Sequence, residues 1–227
     1  MKPALARRVV AEFTGTLFLL AAIVGSGIMA ERLAAGNIAL ALLCNSLATG
    51  AALIAILLAF GPISGAHLNP AVTLADAWVG GLPWRETPAY LLAQIMGAFA
   101  GVAIAHAMFG LAIFSISTHA RAGHAQVFSE FVATFGLFAV IWGCGHGRHS
   151  AIPFAVGTYI TAAYWFTGST SFANPAVTLA RTVTDTFTGI RPSDAPGFIV
   201  AQFIAAFAAT LLFRWLAPMP AKSSEPA

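Results

Sequence analysis

Long apolar runs separated by short polar breaks organise the chain. Six runs reach or approach the roughly 20 residues that a helix needs to cross a bilayer: 8–29, 39–60, 88–110, 126–144, 151–167 and 197–216. The fourth and fifth are short, which predicts tilting or burial by neighbours. Two further apolar pieces, 69–79 and 174–184, are about half a span each, and both begin at Asn-Pro. Proline suits the first turn of a helix, where its missing N–H is not needed. Each half-span is therefore expected to start a short helix. The pattern predicts an all-α integral membrane fold of six transmembrane helices and two re-entrant half-helices.

Composition agrees. Of 227 residues, 59% are apolar and 8% are charged, against about a quarter charged in soluble domains. So few charges cannot cover a soluble fold, so the lipid bilayer is the expected surrounding. The eleven basic residues are scattered singly, which gives no nucleic-acid surface. Cys44 and Cys144 lie in apolar stretches and read as buried free thiols rather than a disulfide or metal site. The start of the chain has a signal-like apolar run. Glu12 interrupts it and no clear cleavage site follows, so a retained first helix is expected. With a cytoplasmic N-terminus, the inner segments hold Lys2, Arg7, Arg8, Arg85, Arg148, Arg214 and Lys222. The outer segments hold Arg32, Arg121, Arg181 and Arg191. Seven against four is a mild positive-inside bias that places both termini in the cytoplasm.

The heptapeptide NPAVTLA occurs at 69–75 and again at 174–180, 105 positions apart. The match extends further. VAEFTGTLF (10–18) is echoed by FSEFVATFG (128–136), pairing Glu12 with Glu130, and AQIMGAFAG (93–101) by AQFIAAFAA (201–209), pairing Gln94 with Gln202. PISGAHLNPAVTLA is echoed by TGSTSFANPAVTLA. One membrane domain, 1–227, thus contains a tandem duplication, about 8–110 and 126–216. Each unit has an odd number of spans, so the second must lie inverted relative to the first. Inverted repeats of this kind build a site near the bilayer midplane from broken helices. Because unsatisfied backbone is costly in lipid, the half-helices must be buried in protein or line an aqueous cavity.

The two half-helices are expected to meet N-terminus to N-terminus, bringing Asn69 and Asn174 together. Each N-terminus carries roughly half a positive charge, and the pair repels cations, including hydronium. The Asn N–H groups offer donors to a passing oxygen. The Gly- and Ser-rich lead-ins ISGAH and GSTSF supply backbone carbonyls as acceptors. The arrangement suits passive passage of small neutral polar molecules and calls for no cofactor or metal.

These motifs resemble the aquaporin and glycerol-facilitator family, the major intrinsic proteins. The resemblance spans nearly the whole chain through AEFTGT, SGAHLNPAVT, SEFVATF and NPAVTLA. It implies a pore constriction at Asn69, Pro70, Ala71, Asn174, Pro175 and Ala176, and a homotetramer with one pore per subunit. Most members have Arg directly after the second Asn-Pro-Ala; here that position is Val177. Carrying over the other filter positions gives Thr49 and Ser171. The fourth is Tyr164 when counted from Gly157, or Ala162 when counted back from Asn174. A re-entrant loop two residues shorter than usual favours Tyr164. Val has neither the charge nor the five donors of Arg, so the filter is expected to be wider and less polar. The stretch SFANPAVTLARTVTDTFTGIRPSDAPGFIVAQ resembles a bacterial subgroup associated with arsenic-resistance gene clusters. That likeness implies a bacterial inner membrane location and passage of arsenite as As(OH)3, with methylated arsenicals as a further class.

Other residues carry two readings. Glu12 and Glu130, ionisable groups inside spans, read as proton relays or as structural acceptors for the re-entrant loops; their pairing by the repeat favours the second. His67 reads as pore lining, as a pH gate or as packing. His119 and His124 form a weak metal candidate, and His146 and His149 read as solvated loop residues. Arg181, paired by the repeat with Asp76, sits about 6 Å beyond Val177 at 1.5 Å per residue. It reads as a vestibule charge or, preferred, as an i,i+4 ion pair with Asp185. Gly97 and Gly101 read as close helix packing; Trp84, Tyr90, Trp142 and Trp215 read as interfacial anchors. Three rival functions are a water-only pore, an inverted-repeat secondary transporter and an intramembrane hydrolase. The transporter needs a carboxylate free to bind an ion. The hydrolase lacks a G-x-S-x-G context.

Overall fold

A computed structural model describes residues 3–217, and Lys2 and Lys222 lie outside the described residues. The helices are α1 (Leu5–Leu33), α2 (Ile38–Ser64), α3 (Pro70–Trp78) and α4 (Thr87–Met108) in the first half. The second half has α5 (His124–Gly145), α6 (Ile152–Phe166), α7 (Pro175–Ala180) and α8 (Ala195–Leu216). Single 3-10 turns stand at His149–Ala151 and Arg181–Val183. No strand occurs among the described residues.

The order in each half is long helix, long helix, half-helix, long helix. In the first half α1 packs on α2 and α4; in the second α5 packs on α6 and α8. Small residues set these distances. A Cβ on Gly97 would strike the Phe13 carbonyl oxygen, and one on Gly101 the Leu17 carbonyl oxygen, so α1 and α4 touch backbone to backbone. The halves join where α2 crosses α6. A Cβ on Gly50 would lie 2.7 Å from the Gly157 oxygen, and one on Gly157 2.6 Å from the Gly50 oxygen. The half-helices α3 and α7 touch each other and pack on both α4 and α8, so they are enclosed by protein. Large apolar side chains such as Phe18, Leu47, Leu92, Phe128 and Phe207 stay exposed on the perimeter, as suits a lipid-facing surface.

The fifth span is short, as expected: five of the long helices are long and apolar enough to cross a membrane, while α6 has 15 residues, or about 22 Å at 1.5 Å per residue. Three expectations need correction. The fourth run is a full 22-residue helix rather than a short one. The second half-span is not one helix to 184: α7 stops at Ala180 and the chain tightens into a 3-10 turn. Two of the four aromatic anchors are internal. Tyr90 is buried and its hydroxyl donates to the Ser64 carbonyl at 2.9 Å. The Trp142 indole N–H donates to Thr210 at 3.1 Å. Trp84 and Trp215 are exposed.

The first and last described residues gather at one face. Arg8 pairs with Glu86 at 2.8 Å and donates to the Pro3 carbonyl, while His146 reaches the Ala217 carbonyl. The long connections meet at the other face, where Arg32 donates to the Phe109 carbonyl and the Arg191 N–H to that of His119.

Candidate functional site

The site is built from two equivalent loops, each held by a buried carboxylate. Ala66 and Leu68 have φ of 45° and 51°; Ser171 and Ala173, 105 positions later, have 51° and 49°. Non-glycine residues rarely adopt this left-handed region, and each costs on the order of 1 kcal/mol or more. The carboxylates over-determine it. Glu12 Oε1 accepts the His67 N–H at 2.9 Å and the Ser64 hydroxyl at 2.6 Å; Oε2 accepts the Leu68 N–H at 2.7 Å and the Gln94 amide at 2.8 Å. Glu130 does the same for the Phe172 and Ala173 N–H groups at 2.8 and 2.9 Å, and for Gln202 at 2.7 Å. Gln94 and Gln202 donate onward to Thr73 and Thr178 on the half-helices. Each loop is thus clamped to its own half-helix and to the long helices around it.

Asn69 caps α3 by accepting the Ala71 N–H, and Asn174 caps α7 by accepting those of Ala176 and Val177. Pro70 and Pro175 occupy the first turns. The Asn69 amide donates to the Ala173 carbonyl at 2.8 Å, and the Asn174 amide donates to the Leu68 carbonyl at 2.7 Å. Each half therefore stitches the other at the centre. A carboxamide has two N–H donors, so one remains on each Asn for a passing solute. Ala71 and Ala176 are buried beside them.

A cavity of about 300 Å³ follows this line, and both Asn side chains border it. Its lining also includes the apolar repeat-related pairs Leu19 and Leu137, and Ile23 and Ile141. Polar and aliphatic groups along one cavity suit a solute that has both hydroxyls and apolar surface. Thr49, Tyr164, Ser171 and Val177 all border the cavity, and the Tyr164 hydroxyl lies 3.4 Å from that of Thr49. Ala162 is exposed on the far side of α6. The Ser171 hydroxyl has no partner among the described residues.

The two mouths differ in charge. At the face bearing the first and last described residues, His67 contacts Thr73 at 3.2 Å and Asp76 at 3.5 Å, and both His67 and Asp76 border the cavity. His149 also borders it, so it is not merely a loop residue. At the opposite mouth stands Arg181, whose guanidinium stacks on Phe172 at 3.4 Å from the ring centre. The expected ion pair with Asp185 does not form. The 3-10 turn after Ala180 breaks the i,i+4 spacing, and Asp185 instead accepts the Thr118 N–H and hydroxyl. Those two bonds hold the Asp185 carboxyl below its ordinary value.

Cys44 is exposed rather than buried, and both thiols are free. His124 opens α5 and His119 borders the outer vestibule. Sequence reasoning gave no site role to Phe172, Arg121 or Asp76. The repeat register pointed to two of them. His67 and Phe172 both stand two residues before an Asn, and Asp76 and Arg181 both stand seven after. In each half these two positions touch. No comparable register marks Arg121, which lies in the connection between α4 and α5.

A family model described as Major intrinsic protein matches residues 1–171. Over 212 residues the chain is 55% identical to Aquaglyceroporin AqpS of Rhizobium meliloti (strain 1021), covering 93% of this chain and 91% of that protein. It is 36% identical over 185 residues to Aquaporin NIP1-3 of Oryza sativa subsp. japonica, covering 78% of this chain and 64% of that protein. Among solved structures, the aquaglyceroporin from Plasmodium falciparum shares the fold with a TM-score of 0.70 at 23% identity, covering 94% of this chain and 95% of that one.

Proposed function

Because the chain belongs to the major intrinsic protein family, a family of membrane channels, we propose that it is a passive channel for small uncharged polar solutes broader than water. The solutes are water, glycerol-like polyols and arsenite as As(OH)3, with methylated arsenicals as a further class. The filter in this reading is Thr49, Tyr164, Ser171 and Val177.

The observation that carries the reading is Val177. It borders the cavity and its side chain has no polar atom, while the nearest guanidinium on the same segment, Arg181, is turned onto Phe172. A filter with one unpartnered hydroxyl and an aliphatic wall favours a polyol over a single-file water wire. The name of the R. meliloti relative, an aquaglyceroporin, supports the same solute class. Glu12 and Glu130 speak against a secondary transporter, because both oxygens of each accept protein donors and neither carboxylate is free for a coupling ion. The family likeness also supports a homotetramer. The positive-inside bias supports cytoplasmic termini in a bacterial inner membrane.

Osmotic swelling of proteoliposomes with water, glycerol and As(OH)3 tests this. Val177→Arg is expected to keep water flow and to lower glycerol and As(OH)3 flux about tenfold or more, equivalent to ~1.4 kcal/mol in the barrier. A native protein that passes only water, with a variant that behaves identically, would remove Val177 from the account.

A further inference from the structure

The outer vestibule contains a cationic site that the channel reading does not use. Arg181 is 2% exposed. Its Nε–H donates to the Thr188 carbonyl, and among the described residues the buried Nη1 has no acceptor. Arg121 lies over the same Phe172 ring, 5.1 Å from its centre. Its donors go to neutral oxygens: the Gly189 carbonyl at 2.8 Å, and the Ser169 carbonyl and Thr170 hydroxyl at 3.3 Å. Neither guanidinium has a carboxylate within ion-pair distance among the described residues. Glu130 is committed to its loop, and Asp194 binds the Arg121 backbone N–H and the Arg191 side chain.

Buried charges in proteins are normally paired, because an unpaired one is costly. The equivalent charge in the first half, Asp76, is answered by His67. Among the described residues Arg181 is answered by the face of a ring and one carbonyl, with no carboxylate. Both arginines border one cavity of about 360 Å³, with Thr170 on its wall and Glu31 and His119 also facing it. Arg181 borders the channel cavity as well.

We propose that this vestibule binds one small oxyanion, a carboxylate or phosphate-like group, on the open fork of Arg181 with the positive field of Arg121 behind it. Two parallel N–H groups match two oxygens on one edge of such an anion. Because Arg181 stands at the junction of the two cavities, a bound anion obstructs entry of neutral solutes.

The test is calorimetric titration of the full chain in detergent with sodium formate, and separately with inorganic phosphate, against sodium chloride at constant ionic strength. Glycerol flux in proteoliposomes is measured over the same concentrations. Expected are saturable binding of at least one oxyanion, one per chain, and a parallel fall in glycerol flux. Arg181→Gln should weaken binding about tenfold or more, through loss of the charge-assisted bonds. Arg181→Lys should keep some binding but lose the preference for formate over chloride, since an ammonium has no fork. A native protein that binds neither probe better than chloride overturns the proposal. So does a folded Arg181→Gln that binds like the native chain. If Arg181→Gln fails to fold, the native titration and the Lys variant still decide. Binding is measured without flux, so a chain that binds formate but passes no glycerol would refute the solute reading alone.

Discussion

Identical residues at the two Asn-Pro-Ala motifs do different work because their neighbours differ. Val72 and Val177 share a letter and a repeat position and both border the cavity, but in the proposed filter Val177 shares its wall with Thr49, Tyr164 and Ser171. What holds that wall is Glu130, whose two oxygens fix the Phe172 and Ala173 N–H groups beside the left-handed Ser171. Glu130→Gln leaves one oxygen for those donors and points an amide N–H at either a backbone N–H or Gln202. Leaving a buried donor unpaired beside a lost charged acceptor should cost about 3 kcal/mol. The expected result is a lower thermal midpoint in detergent together with reduced glycerol flux. An unchanged midpoint would mean that the loop holds its shape without the carboxylate. The Glu and Asn positions were legible in the sequence because the duplication printed each of them twice. Arg181 was also paired by the repeat, but the reading took Asp185 rather than Phe172 as its partner. Choosing Asp185 assumed that the helix continued, and a single 3-10 turn redirected the side chain onto Phe172.

At the level of helices, the apolar pattern located every element but not every length. The second half-span reads as continuing to 184, whereas the helix ends at Ala180 and the chain tightens into a 3-10 turn and then runs extended at Thr184. Hydropathy records burial and cannot tell a helical residue from an extended one in the same protein interior. Glycine positions are similarly ambiguous by sequence and clear by contact. Gly97 faces the Phe13 carbonyl of α1, and backbone cannot yield, whereas Gly61 in α2 has nothing within 4 Å of an added Cβ. Gly97→Ala should therefore separate α1 from α4 and lower the thermal midpoint. Gly61→Ala should be neutral or should stabilise the helix by up to about 1 kcal/mol, the propensity difference between the two residues. Equal midpoints for the two variants would show that the α1–α4 approach is less tight than the contact implies.

For the whole molecule, the proposed reading assigns proton exclusion and solute selection to different parts of the pore. Two half-helices aim their N-termini at one point from opposite faces, and each contributes roughly half a positive charge there. The reciprocal bonds from Asn69 to the Ala173 carbonyl and from Asn174 to the Leu68 carbonyl lock that point across the duplication. Nothing in this arrangement involves Val177 beyond its backbone N–H. A filter without a charge should then widen the range of solutes without opening the pore to protons, because the cation barrier belongs to the centre. Vesicles loaded with a pH-sensitive dye and held at a negative internal potential measure this directly. Native protein should acidify the lumen no faster than empty vesicles, and Val177→Arg should change nothing. The double variant Asn69→Asp, Asn174→Asp keeps both caps but places carboxylates against the two positive ends, and it should admit cations. Acidification by the native chain at the rate of a protonophore would place proton exclusion at the filter instead, and the loss of its arginine would then cost the channel its selectivity.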